Sequence, residues 1–191
     1  MKNKQTYMLN ELKKFLAYLQ FERKLSNNTI NSYWQDLNSY LQYLVQTYNI
    51  DSFNHIKYKH IKNYIQSLSD LKNDHTYENT SINRLISSIK SFNKYLLLNQ
   101  IINKDPSKLL KSIRIKQTLP TVLSVNEIDM IINSIDIESV NGIRDKSLVM
   151  LMYSSGLRVS EIINLKLTNY YKDDDIIRIF GKGKKERLVP I

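Results

Sequence analysis

The sequence predicts a mainly α fold that ends in a small β-hairpin, and three observations carry that prediction. All four glycines, Gly142, Gly156, Gly181 and Gly183, fall in the last fifty residues, so the first 141 run without one. In that first part apolar residues recur at three- and four-residue intervals, the period of a helix with one buried face. Near the end, "IIRIF" and "RLVPI" flank "GKGKKE", two strand-like runs around a turn of glycine and lysine.

The elements follow in order. Leu9, Leu12, Phe15, Leu16 and Leu19 share one face of a first helix, about residues 5–23. Ser26 supplies the N-cap of a second, whose stripe is Ile30, Tyr33, Leu37, Leu41 and Leu44. A third helix, about 54–68, has a weaker pattern; a fourth, about 77–99, repeats Ile82, Leu85, Ile86, Ile89, Phe92 and Leu96. Four such helices in about a hundred residues make a small bundle with its own core, so a helical domain is expected over 1–104. Pro106 and Pro120 then break the pattern, and Lys104, Lys108, Lys111, Arg114 and Lys116 face only Asp105 in charge. This reads as a basic linker over 105–123, either solvated or lying along a polyanion.

A second domain, 124–191, is expected to open at "SVNE". There Ser124 and Glu127 form a capping box and Leu123 and Ile128 occupy the positions of a hydrophobic staple. Asn141-Gly142 is expected to break that helix. "RDKSLVMLMYSS" then predicts a nearly all-apolar, buried helix that Gly156 ends in the left-handed conformation, with a short helix restarting over 159–167.

Composition bounds the chemistry. There are no cysteines, so disulfides and thiolate metal sites are excluded, and His55, His60 and His75 lack the spacing of a zinc site. No metal and no cofactor are expected. No window approaches eighteen uncharged apolar residues, which predicts a soluble, cytoplasmic chain with no membrane partner. The net charge is +10, and through residue 112 there are 16 Lys or Arg against 8 Asp or Glu, whereas the remainder holds 12 against 10. The first part is therefore the stronger electrostatic footprint for a nucleic acid, unless its lysines are simply a solvated surface.

Two stretches could carry chemistry. In "SSGLRVSE", Arg158 follows a helix-breaking glycine, and Glu161 falls one turn later on the same face. A guanidinium fixed at such a corner suits two non-bridging phosphate oxygens, with Glu161 orienting it; the alternative is a surface ion pair. The turn "GKGKKE" offers Lys182, Lys184 and Lys185 as phosphate contacts, with a lysine there as a proton donor to a leaving alkoxide, or else as a solvated loop. It lacks the Gly-x4-Gly-Lys-Ser/Thr spacing of a nucleotide-binding loop.

Taken together, "RDKSLVMLMYSSGLRVSEIINLKL" and "IIRIFGKGKKERLVPI" resemble the first box and adjoining hairpin of tyrosine recombinases, in particular the Xer-type chromosome-dimer resolvases and related phage and transposon integrases. The likeness includes Gly-Leu-Arg-x-x-Glu-Ile, the Gly-Lys-Gly turn, Lys-Glu-Arg, the Val-Pro end, and the 24 residues from Arg158 to Lys182. "KLSNNTINSYWQDLNSYLQYL" and "SINRLISSIKSFNKYLL" are similar to helices of that family's N-terminal core-binding, SAM-like bundle, and "DPSKLL" to its exit into the linker.

The resemblance implies an enzyme class that clamps duplex DNA between two domains. A tyrosine attacks the scissile phosphate without a metal, leaving a 3′-phosphotyrosine and a free 5′-hydroxyl. Carried over, Arg158 is the first catalytic arginine, Lys182 the general acid and Glu161 the supporting acidic residue. The family's His-x-x-Arg and tyrosine boxes have no match before Ile191, so the expectation is a truncated DNA-binding form with no nucleophile in these residues, acting in DNA integration or chromosome-dimer resolution. The alternative is a non-catalytic DNA-binding regulator of a full-length recombinase; a weaker one is a helical interaction module. The expected partners are duplex DNA and either a second copy or a partner recombinase. Expected DNA contacts are Asn27, Asn28, Thr29, Arg84, Lys90, Lys111, Arg114, Lys116, Lys184 and Lys185.

Overall fold

The computed structural model describes residues 2–69, 77–115, 121–181 and 185–191. The chain divides into two compact units, Met1–Gln117 and Thr118–Ile191. The first is helical: α1 (Lys2–Phe21), α2 (Asn27–Tyr48), a 3-10 turn (Phe53–His55), α3 (Tyr58–Ser69) and α4 (Asn79–Leu98). Ser26 caps α2 as its sequence predicts, its Oγ accepting from the Thr29 N–H at 3.3 Å. Asn49 stops the same helix in the left-handed conformation, φ 50°, which asparagine tolerates better than most residues. The third helix starts later than its apolar pattern suggests because Phe53–His55 tighten into the 3-10 turn before it.

The bundle core is aromatic at its centre. Phe15 of α1 is fully buried, with ring centroids 5.2 Å from both Phe92 and Tyr95 of α4 and 6.2 Å from Tyr33 of α2. Around it Leu12, Leu37, Leu44, Ile61, Ile89 and Leu96 are fully buried, so every helix contributes a face. The segment after α4 belongs to this unit as well. Ile102 and Leu110 enter the same core, and the Asn83 side chain of α4 grips Ile113, donating to its carbonyl at 2.8 Å and accepting from its N–H at 2.7 Å.

The second unit comprises α5 (Val125–Ser134), α6 (Val140–Ser155), α7 (Val159–Ile163), a 3-10 turn (Leu167–Asn169) and an antiparallel sheet of β1 (Tyr170–Tyr171), β2 (Ile176–Phe180) and β3 (Glu186–Pro190) in the order β1-β2-β3. The predicted hairpin is β2 with β3, Ile177 opposite Val189 and Ile179 opposite Arg187; β1 adds a strand that its short "YY" did not signal. The capping box at Ser124 forms: Ser124 N–H donates to Glu127 Oε2 at 2.7 Å, and Glu127 N–H to Ser124 Oγ at 3.3 Å.

Two expectations fail in this unit. Asn141-Gly142 does not break a helix; it lies in the first turn of α6, which Ser139 caps by accepting from the Gly142 N–H at 3.0 Å. The glycine is there for a close approach, since a Cβ at Gly142 would collide with the Asp136 carbonyl. Nor is α6 buried: Ile143, Met150 and Tyr153 are exposed, and only Gly142 and Ser155 are buried. The core of this unit is Leu157, Ile162, Ile177 and Ile179, with Leu148, Leu151, Met152, Leu165 and Val189 against it. A cluster that small covers one side of an apolar helix and leaves the others open.

Candidate active site

The stretch that turns from α6 into α7 assigns one task to each residue. Gly156 takes φ 58° and ends α6, its N–H bonding the Met152 carbonyl. Leu157 is then buried in the small core, and Arg158 comes out at the N-cap of α7 in extended conformation. A buried residue on one side and a helix start on the other leave the arginine backbone little freedom. Its side chain is 71% exposed.

Glu161, three residues on, is the opposite case. Its side chain is 3% exposed, and its carboxylate collects four hydrogen bonds. Arg158 donates from its backbone N–H at 2.9 Å and from Nη1 at 3.0 Å; Arg187 of β3 donates from Nη1 and Nη2, both at 2.8 Å. A carboxylate has roughly four acceptor positions, so Glu161 is saturated. The Arg187 pair and the Arg158 N–H hold the Glu161 carboxyl down to about 2, well below the usual carboxylate range.

Arg187 is the residue that sequence reasoning left without a role. Strand alternation carries the signal: Arg187 faces Ile179 across the hairpin, and Ile179 points into the core, so the arginine points to the same side and needs a carboxylate there. Gly181 closes the corner. A Cβ on it would lie 3.4 Å from both Arg187 Nη1 and Glu161 Oε1, and its N–H donates to the Lys185 carbonyl at 2.8 Å, narrowing the turn. Lys182 is next to Gly181 in the chain; Lys116, Lys182 and Lys184 lie outside the described residues, and Lys185 is exposed.

The arrangement is two guanidinium groups on one buried carboxylate, a net charge of +1. Arg187 spends its fork on Glu161. Arg158 spends only Nη1, so among the described residues its Nε and Nη2 donors are left for an anion.

Comparison with known proteins agrees with this architecture. The family description "Phage integrase, N-terminal SAM-like domain" matches residues 12–100, and "Phage integrase family" matches 121–191. The chain belongs to the phage integrase family. It is 36% identical over 180 residues to tyrosine recombinase XerD of Staphylococcus aureus, covering 94% of this chain and 59% of the relative. Tyrosine recombinase XerC of Myxococcus xanthus is 37% identical over 180 residues, with 94% and 58% covered. The chain thus spans somewhat under three fifths of the length of the curated relatives it matches. Among solved structures, a lambda integrase dimer bound to a COC′ core site shares the fold with a TM-score of 0.72 at 14% identity, over 95% of this chain and 47% of that one. A lambda integrase tetramer bound to a Holliday junction gives 0.71 at 13%, over 96% and 50%.

In the SAM-like bundle of this integrase chain, the expected DNA contacts fall into different surroundings. Asn27 and Asn28 are exposed on the first turn of α2, whereas Thr29 is engaged in the cap, its Oγ1 2.9 Å from Ser26 Oγ. Arg84 is half taken: Nη1 donates to Asp36 Oδ2 at 3.0 Å, and Ser88 Oγ donates to the same oxygen at 2.9 Å, which ties α2 to α4. Burial pushes the Asp36 carboxyl up, offset by those two partners. Lys90 lines a cleft of about 560 Å³ with Arg23, Lys94, Tyr18, Tyr33 and Tyr95. Arg23 and Lys94 were not among the expected contacts because they lie 71 residues apart in the sequence; the fold of the bundle brings them to one cleft. Lys111 and Arg114 are exposed on the segment after α4. No group of three or more potential metal ligands occurs among the described residues, and none of their helices is long and apolar enough to cross a membrane.

Proposed function

We propose that these 191 residues are the DNA-binding and first phosphate-gripping part of a site-specific tyrosine recombinase acting in the cytoplasm. The bundle serves as the core-binding domain, the basic segment 105–123, whose first part packs on the bundle through Leu110 and Ile113, as the exit from it, and 124–191 as the first part of the catalytic domain. The observation that carries this reading is Arg158: a guanidinium held at its base by a buried carboxylate, with donors left over, suits a phosphodiester that gains charge during attack.

In the proposed reaction a tyrosine oxygen bonds to phosphorus as the bond to the 5′-oxygen breaks. Arg158 holds the non-bridging oxygens, and Lys182 gives its proton to the leaving oxygen. Glu161 fixes Arg158 and takes no proton, being ionised far below neutral pH. His55, His60 and His75 all lie in the first unit, so none of them serves as the histidine of the second box. On DNA the chain acts beside a second copy or a partner recombinase.

Two assays test this. Binding of the chain to a duplex carrying its recombination site weakens steeply with salt, and R158A weakens it further. A nicked suicide substrate gives no covalent adduct with these residues alone. Salt-insensitive binding would refute the first part, and an adduct that disappears on mutating Tyr153, Tyr170 or Tyr171 would refute the second.

A further inference from the structure

We infer that Arg187 is a positioning residue that keeps Arg158 available to phosphate by occupying the carboxylate that would otherwise claim it. This rests on the proposed role of Arg158 and extends it to a residue on another element. Geometry and charge both support it. Glu161 is buried and has two oxygens; Arg187 binds both, at 2.8 Å each, in the fork-to-fork arrangement that a guanidinium makes best. Arg158 is left with one side-chain bond to Oε1 at 3.0 Å and stays mostly exposed.

Without Arg187 the site would hold one arginine and one carboxylate, a neutral pair. Glu161 would then have a free acceptor on each oxygen, and the nearest donor is the remaining Nη of Arg158. Closing that second bond turns the guanidinium inward and spends it on the protein. Two arginines on one carboxylate are therefore the smallest set that satisfies a buried Glu161 and still presents a positive fork outward. The placement of Arg187 fits: it sits directly opposite Ile179, which is anchored in the core, and beside Gly181, where a Cβ would stand 3.4 Å from the pair.

The test compares R158Q, R187Q, R187K and the double variant E161Q/R187Q in the full chain, with two readouts. In arginine-selective NMR, wild-type Arg158 gives averaged Nη signals because it holds one bond; R187Q splits them by locking the guanidinium on Glu161. In duplex DNA binding, the slope of log affinity against log salt falls by about 0.9 in R158Q, the change expected when one phosphate is no longer neutralised. It falls by the same amount in R187Q and recovers in E161Q/R187Q, where no carboxylate remains to claim Arg158. R187K, which keeps a cation on Glu161, recovers most of it, and its circular dichroism checks that the unit is folded. A residue that only braced the hairpin would not be rescued by removing Glu161.

An Arg158 spectrum unchanged by R187Q overturns the inference. So does a slope that falls in R158Q but neither in R187Q nor back again in the double variant, with the DNA role of Arg158 left standing. If R158Q itself leaves the slope at the wild-type value, the phosphate reading of the site fails and this inference fails with it.

Discussion

The two units are held together by different physics. Among the described residues the bundle buries 22 apolar side chains in one cluster, while the second unit buries four and joins its helix α7 to its sheet through Glu161 and two arginines. The bundle is stabilised mainly by area removed from water, which tolerates small geometric errors. The second unit relies on a saturated polar cluster, in which each member must be satisfied or the whole loses its advantage. A region that must offer a charge to a ligand cannot bury that charge in a large apolar core, and here the carboxylate is buried in its place.

That contrast can be strained from either side. The largest effect is expected from F15A, which removes the ring at the centre of the aromatic cluster. It should cost the bundle about 3–5 kcal/mol, read as a lowered denaturation midpoint by the fluorescence of Trp34, the only tryptophan and a residue packed on that core. N83A should cost about 1–3 kcal/mol by the same readout, since Asn83 makes both hydrogen bonds to Ile113 and alanine leaves them open. A change under a few tenths would mean that the segment after α4 does not depend on that grip. S124A should cost about 1 kcal/mol and show as faster amide exchange confined to the start of α5. Loss of protection elsewhere in the unit would show that the cap does more than start a helix.

Much of this fold was legible in the sequence where one interaction dominates. The stripe of α4 is buried throughout as its spacing predicts, and those of α1 and α2 are buried at Leu12, Phe15, Leu19, Leu37, Leu41 and Leu44 and half-buried at Leu9, Leu16, Ile30 and Tyr33, because a 3.6-residue period fixes the face whatever packs on it. Ser26, Ser124 and Gly156 act as read, since caps are local. The misreadings concern tertiary context. Gly142 looked like a helix breaker and is a contact point for the Asp136 carbonyl, and α6 looked buried although nothing among the described residues covers most of it. At the site, Arg158 with Glu161 could be read from three-residue spacing. Arg187 could not, because its partner is 26 residues away and only the strand register reveals which way it points. Arg84 shows the reverse: a basic residue that reads as free for DNA shares its charge with Asp36, 48 residues away.

The carboxylate between the two arginines is open to one direct measurement. Its pKa is depressed in the folded protein, from about 4.5 to about 2, so its contribution to the second unit is complete above pH 4.5 and is lost as the pH falls through 2. A pH titration of the Glu161 side-chain carboxyl carbon by NMR should give a midpoint near 2, with the signals of Arg158 and Arg187 moving together with it. A midpoint near 4.5, with the two arginines unmoved, would contradict the account by showing that Glu161 is not held between them.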